Sequence, residues 1–255
     1  MIAAHAVEDF LQQGYKDFIP HHSVDCVIFG FHDGELKLLL LNWEHLPFWS
    51  LPGGYIKRSE TIDEAASRIL KQRTGLDQIF LQQFYTFGAL DRQEEVFYRL
   101  TEKMKVSVDE DFWPAHRVIS TGYYALVDFS TVTPTPDSLS RECRWWDVQH
   151  RPELVFDHDQ IVEKALRVLR MQLSYQPVGL NLLPETFTMP ELQALYETIL
   201  GKTLDRRNFQ KKILSRGIVQ RLEKRKTGKA HRSPYQYRFD VEKYHQAVSD
   251  ESFGF

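Results

Sequence analysis

The apolar pattern changes character near residue 176, and that change constrains what the chain can fold into. Before it, short β-like runs alternate with amphipathic segments. Ser23–Phe31 and Glu35–Asn42 flank Asp33-Gly34, a pair that favours a tight hairpin because both residues tolerate positive φ. Phe48–Leu51 is shorter and stops at Pro52-Gly53-Gly54, which predicts a turn or a close backbone approach. Thr61 and Glu64 then stand at capping-box spacing. Ile62, Ala65, Ala66, Ile69 and Leu70 form one helical stripe, and Gly75 ends it. Further strands are expected at Ile79–Ala89, Val118–Asp128 and Cys143–Asp147. A second helix is expected over Asp157–Leu173, with Asp157 or Asp159 at its start. Glu94–Ala115 reads as a loop or helical excursion with no assigned role. Ser130–Ser140 reads as a loop, since Pro134 and Pro136 cannot donate within a sheet. The pattern is that of an α+β domain with helices on a mixed sheet.

After the break the order is helix, turn, helix, hairpin. Thr188 and Glu191 give another capping box, followed by the stripe Leu192, Leu195, Tyr196, Ile199 and Leu200, closed by Gly201. Asp205 caps a second helix, Arg206–Arg216, closed by Gly217. Two strand-like runs, Ile218–Glu223 and Tyr235–Phe239, flank the basic stretch Lys224–Pro234. This is the outline of a winged helix. The expected division is a lead-in over 1–20, a first domain over 21–175, a linker over 176–186, a winged helix over 187–240 and a tail over 241–255.

Charge follows the same division. The net charge of −3 over 255 residues conceals thirteen Lys and Arg between Gly201 and Arg238, opposed there only by Asp205 and Glu223. That segment carries +11 and the remainder −14, an asymmetry that points to a polyanionic partner. On the second helix Phe209, Ile213 and Leu214 are expected to face inward. Arg206, Arg207, Asn208, Gln210, Lys211, Lys212 and Arg216 then become candidate DNA contacts, because Arg bonds bidentately to guanine and Asn or Gln to adenine. Lys224, Arg225, Lys226, Lys229, His231 and Arg232 are the candidate wing contacts. No apolar run approaches the ~20 residues of a membrane span. The start of the chain lacks a signal pattern, and Cys26 and Cys143 are too few for a disulfide framework, so a reduced cytoplasmic protein is expected.

Gly54, Glu60, Arg68, Leu70, Gly75 and Leu76 match, in place, the Nudix box: Gly, five residues, Glu, seven residues, then Arg-Glu-apolar-any-Glu-Glu-any-Gly-apolar. Over most of its length the chain resembles the Nudix-related transcriptional regulators, the NrtR/AraR-like family. The stretches Phe87–Arg92, Gly122–Leu126, Val155–His158, Asn181–Pro184 and Asp205–Phe209 add to the similarity. The resemblance implies an N-terminal Nudix-like α/β/α sandwich, a C-terminal winged helix-turn-helix and a homodimer on a palindromic double-stranded DNA operator.

The departures from the box carry as much weight. Three carboxylate positions through which Nudix hydrolases hold Mg²⁺ are here Ile69, Gln72 and Arg73. An isoleucine, an amide and a cation cannot ligate a hard divalent ion or activate water through it. The expectation is therefore no metal, no cofactor and no catalysis. The cleft is expected to bind an effector, a pentose such as arabinose or an ADP-ribose-like nucleotide sugar, with the missing metal site tilting the choice toward the free sugar. Candidate effector contacts are Asp25, Trp43, Gly53, Gly54, Glu60, Asp91, Arg92 and Tyr123, combining carboxylates and aromatic faces suited to sugar hydroxyls and rings. The function expected is a ligand-responsive repressor. Its rivals are a Mg²⁺-dependent hydrolase of nucleoside diphosphate derivatives with a nucleic-acid-binding appendage, and a module whose basic hairpin meets an acidic protein.

Overall fold

The computed structural model describes residues 2–76, 81–90, 94–107, 112–173, 179–180, 182–224 and 234–249. The chain forms two compact units. One comprises Met1–Gly30 with Lys37–Ala165, the other Phe31–Leu36 with Leu166–Phe255.

In the first unit, α1 (Ile2–Gln13) leads into β1 (Phe18–His32). β2 (Glu35–Trp43), β3 (Trp49–Ser50) and β4 (Gly53–Lys57) follow. Asp33 and Gly34 have φ of 48° and 81°, the positive values anticipated for that hairpin. Then come α2 (Ile62–Thr74), β5 (Leu81–Phe87), α3 (Glu94–Met104), β6 (Ile119–Val127), β7 (Ser140–Asp147) and α4 (His158–Gln172). The sheet runs β3-β2-β1-β6-β5, with β4 on β1 and β7 on β2. β1 and β6 are parallel, and the pairings of β4, β3, β7 and β5 are antiparallel, so the sheet is mixed.

Helix α2 is set by its caps. The Thr61 hydroxyl accepts the Glu64 N–H, the Glu64 carboxylate accepts the Thr61 N–H at 2.7 Å, and Gly75 closes the helix at φ 72°. Its stripe packs on Val24, Cys26 and Ile28 of β1 and Leu39 and Leu41 of β2. Side chains alternate along a strand, so Asp25 points to the opposite face, where α4 brings His158.

Pro52-Gly53-Gly54 is not a turn. Gly53 opens β4 and lies against Asp25, where an added Cβ would fall 2.6 Å from Asp25 Oδ1 and 2.8 Å from the Val24 carbonyl. The lead-in and the excursion are both structural. Val7 and Leu11 of α1, Phe97 and Leu100 of α3, and Phe112 and Ala115 bury with Trp43 and Leu46 in one cluster. The Trp113 indole N–H also donates to the Leu11 carbonyl at 2.9 Å.

In the second unit, β8 (Phe187–Thr188) precedes α5 (Met189–Leu200), whose Thr188–Glu191 capping box and Gly201 terminus form as expected. α6 (Arg206–Ser215) is followed by β9 (Val219–Lys224), β10 (Tyr235–Phe239) and α7 (Val241–Ser249). The strands order as β8-β10-β9. The two-residue β8, which the sequence reading missed, pairs Phe187 with Tyr237 and Thr188 with Gln236. Part of the expected tail is α7, anchored where Tyr244 packs on Phe239.

Candidate functional site

The first unit holds a half-open cavity of about 210 Å³. Its walls include the rings of Phe10, Phe18, Trp43, Tyr55, Phe97 and Phe156, so α1 and α3 supply part of them. Trp43, Phe97 and Phe156 lie 6.1–6.2 Å from one another, and the last two are stacked. Phe156 reaches this position at φ 61°, a left-handed conformation that costs a non-glycine residue about 1–3 kcal/mol and that surrounding packing must hold.

The polar end is built on Asp25, which is 5% exposed. Ser120 Oγ donates to Asp25 Oδ2 at 2.6 Å, and His158 Nε2 lies 3.5 Å from Oδ1. The Leu51 backbone N–H donates to His158 Nδ1 at 3.0 Å. Nδ1 must therefore be an acceptor, which puts the neutral ring's proton on Nε2, facing the carboxylate. Ser50 Oγ accepts the Trp43 indole N–H at 3.0 Å and lines the cavity with Ser23, Asp137 and Ser138. The hydroxyl of Ser23 is buried without a hydrogen-bond partner. Hydroxyls and two carboxylates, Asp25 and Asp137, in a space partly walled by aromatic rings suit a polyhydroxylated ligand carrying a flat or apolar face.

Of the effector candidates, Asp25, Trp43, Gly53 and Gly54 meet at this cavity. Glu60 and Tyr123 are not in its lining. Glu60 makes a two-pronged pair with Arg68, Nε to Oε2 at 2.9 Å and Nη2 to Oε1 at 2.6 Å, and also accepts the Lys57 N–H. Hydrogen bonding from Arg68 holds its carboxyl below the usual range despite partial burial. Tyr123 belongs to the α2 side of the sheet, where its hydroxyl donates to Asp63, and burial followed by that hydrogen bond raises its pKa. Asp91 and Arg92 lie outside the described residues. The sequence reading missed Ser23, Ser50, Tyr55, Phe97, Asp137, Phe156 and His158. Only the Val155–His158 stretch, used there for family similarity, carried a signal.

The residues do not fit a divalent metal. Ile69 is buried in the apolar cluster, Gln72 is exposed, and Arg73 is buried. Asp63, Glu64 and Glu60 are each engaged, by Tyr123, Thr61 and Arg68 respectively. Among the described residues no group of three or more His, Cys, Asp or Glu is placed to hold a metal ion.

In the second unit Asp205 caps α6, its carboxylate accepting the Asn208 N–H at 2.9 Å. Phe209 and Ile213 are buried, and Phe209 packs edge-on against Tyr196 of α5. Leu214, expected to face inward, is 40% exposed, because it follows Ile213 directly and is turned about 100° round the helix from the face that Phe209 and Ile213 bury. Arg206, Arg207, Asn208, Lys211 and Lys212 are exposed, and Gln210 is half-buried. Arg216 is half-buried, and desolvation lowers its pKa. Lys212 is lowered by desolvation and by the neighbouring Arg216 charge. On the wing, Arg221 and Lys224 both lie over the Tyr235 ring, Arg221 at 3.4 Å from its centre. Arg221 was not among the candidate contacts; its exposure and its pairing opposite Tyr237 become visible only in the hairpin register. Arg225, Lys226, Lys229, His231 and Arg232 lie outside the described residues.

A mixed sheet with a capped box helix and a half-open cleft, together with a helix-turn-helix and a three-stranded wing, define a Nudix domain and a winged helix domain. The NUDIX domain family profile matches residues 19–165, and the chain belongs to that family. Residues 179–239 match the NrtR DNA-binding winged helix domain. A similar curated protein is the "ADPR responsive transcriptional repressor NtrR" of Acinetobacter baylyi, 28% identical over 92% of this chain and 89% of that protein. The ADP-ribose pyrophosphatase of Methanocaldococcus jannaschii is 26% identical over 54% of this chain and 70% of its own length. Among solved structures, Shewanella oneidensis NrtR complexed with a 27mer DNA is 26% identical with a TM-score of 0.67, covering 88% of this chain and 95% of that one. Among the described residues, no helix is long and apolar enough to cross a membrane.

Proposed function

We propose that this protein is a ligand-responsive transcriptional repressor that binds double-stranded operator DNA as a homodimer in the cytoplasm. Its Nudix domain senses an ADP-ribose-like nucleotide sugar without hydrolysing it. The observation that carries this reading is the joint presence of an exposed basic α6 on a folded winged helix and a Nudix cavity whose box has Ile69, Gln72 and Arg73 in place of carboxylates. The names of the Acinetobacter and Shewanella relatives support both halves, repression responsive to ADP-ribose and binding to DNA.

Arg206, Arg207, Asn208 and Gln210 are the proposed readers of the major groove, with Lys211, Lys212, Arg221 and Lys224 neutralising phosphates. Asp25 with Ser23 and Ser50 would take ligand hydroxyls, and Trp43, Phe97 and Phe156 a base or sugar face. The sequence tilt toward a free pentose gives way here, since a pentose covers one ring whereas the several rings of the walls offer surface for a sugar and a base together, and the Acinetobacter relative is named for its response to ADPR.

The test is a selection of duplexes from a random pool, followed by anisotropy titration of the selected operator with ADP-ribose, NAD or arabinose present. ADP-ribose is expected to lower operator affinity, and arabinose to leave it unchanged. Operator affinity indifferent to every ligand removes the sensor. Release of AMP from ADP-ribose in Mg²⁺, abolished by Glu60→Gln, restores the hydrolase reading.

A further inference from the structure

Arg73 stands where the box has a carboxylate, and the structure gives it a different task. The loop 133–139 carries two prolines, Pro134 and Pro136, with Thr135 between them. Proline has no N–H, so Thr135 holds the loop's central donor. Both backbone polar groups of Thr135 go to Arg73: its N–H donates to the Arg73 carbonyl at 3.0 Å, and its carbonyl accepts Arg73 Nη1 at 3.4 Å. Arg73 Nη2 lies 3.6 Å from Asp137 Oδ2. The other carboxylate oxygen of Asp137 accepts the Leu139 N–H at 3.0 Å, and the Leu139 carbonyl accepts the Glu44 N–H at 2.9 Å. The segment 137–139 suspended between these ties is itself part of the cavity wall. Arg73 is 9% exposed, and its Nε is sealed off without a hydrogen-bond partner, so the loop supplies the groups that balance the buried guanidinium.

We propose that Arg73 is a positioning residue that fixes the loop 133–139, and with it the 137–139 wall of the cavity, with a covalently held cation, so that ligand capture by this domain needs no divalent metal. The claim about capture rests on the sensor reading above; the claim about the wall does not.

Two readouts separate them. Hydrogen exchange in peptides covering 133–139 needs no ligand. Arg73→Met and the milder Asp137→Asn are expected to speed it roughly tenfold, with Arg73→Lys recovering part of the protection through the retained charge. Calorimetric titration with ADP-ribose should show wild-type affinity equal in EDTA and in Mg²⁺, and weakened roughly tenfold by Arg73→Met. Unchanged exchange in both variants overturns the wall assignment. Wild-type affinity that appears only with Mg²⁺ overturns the metal-free claim. A wild type that fails to bind ADP-ribose at all refutes the sensor reading for that ligand and with it the capture claim, while the exchange data still decide the role of Arg73.

Discussion

Two partly buried contacts in the Nudix domain show how single residues hold its local structure. The Glu60–Arg68 pair ties the box loop to α2, and Arg68 also donates to the Tyr55 carbonyl at 3.1 Å. Glu60→Gln should lower stability by about 2 kcal/mol at neutral pH, since a charge-assisted pair is broken and Arg68 is left partly buried. The folded-state pKa of Glu60 is depressed, so its contribution is fully present above the unfolded value and is lost as pH falls through the folded value. The gap in melting temperature between wild type and variant should therefore be constant from pH 7 down to about 5 and close in more acidic buffer. A gap that widens on acidification would contradict this origin. Gly53→Ala places a methyl against the Val24 carbonyl, which is fixed backbone, and against the Asp25 carboxylate, which would have to leave its contacts with Ser120 and His158. Urea denaturation should register a loss of about 1–3 kcal/mol.

At the scale of elements, what was legible in the sequence was local. The caps of α2, α5 and α6 and the Asp33-Gly34 hairpin are each encoded within a few residues, and each formed as expected. The cavity was half legible. Asp25, Trp43, Gly53 and Gly54 lie on adjacent strands near the box, but Phe10 and Phe97 come from helices far away in sequence, and no local spacing records that α1 and α3 meet over Trp43. β8 escaped because two residues cannot display a period, and its pairing depends on Tyr237 some fifty residues on. Tyr123 was misplaced because residue type does not tell which face of a buried sheet a side chain takes. The exposure of Arg206 and Arg207 makes α6 separable from the fold it belongs to. Replacing both with Ala should leave the melting temperature unchanged while weakening operator binding. The slope of log affinity against log salt should flatten by about 1 for each phosphate no longer neutralised. A double variant that melts lower, with an unaltered salt slope, would assign these arginines to packing.

For the whole molecule, the near-neutral total charge describes neither unit. A basic winged helix segment of +11 is attached to an acidic remainder of −14. Operator affinity should fall steeply with ionic strength, whereas affinity for ADP-ribose, a small anion that displaces no counterion sheath, should change less; parallel titrations across salt concentration check both. If ligand and operator are linked, the factor by which ADP-ribose weakens DNA binding must equal the factor by which DNA weakens ADP-ribose binding, and titrating each in the presence of the other measures it. The Asp205 cap on α6 has a consequence for how such a protein searches a genome. A bare helix start draws in any phosphate through its dipole and unbonded amides. Here an acidic side chain already occupies the Asn208 amide and opposes that field. In the proposed role of α6 as the reading helix, general attraction to DNA is then carried more by its long, adjustable arginines and lysines than by the helix start, where the Asn208 amide is already taken.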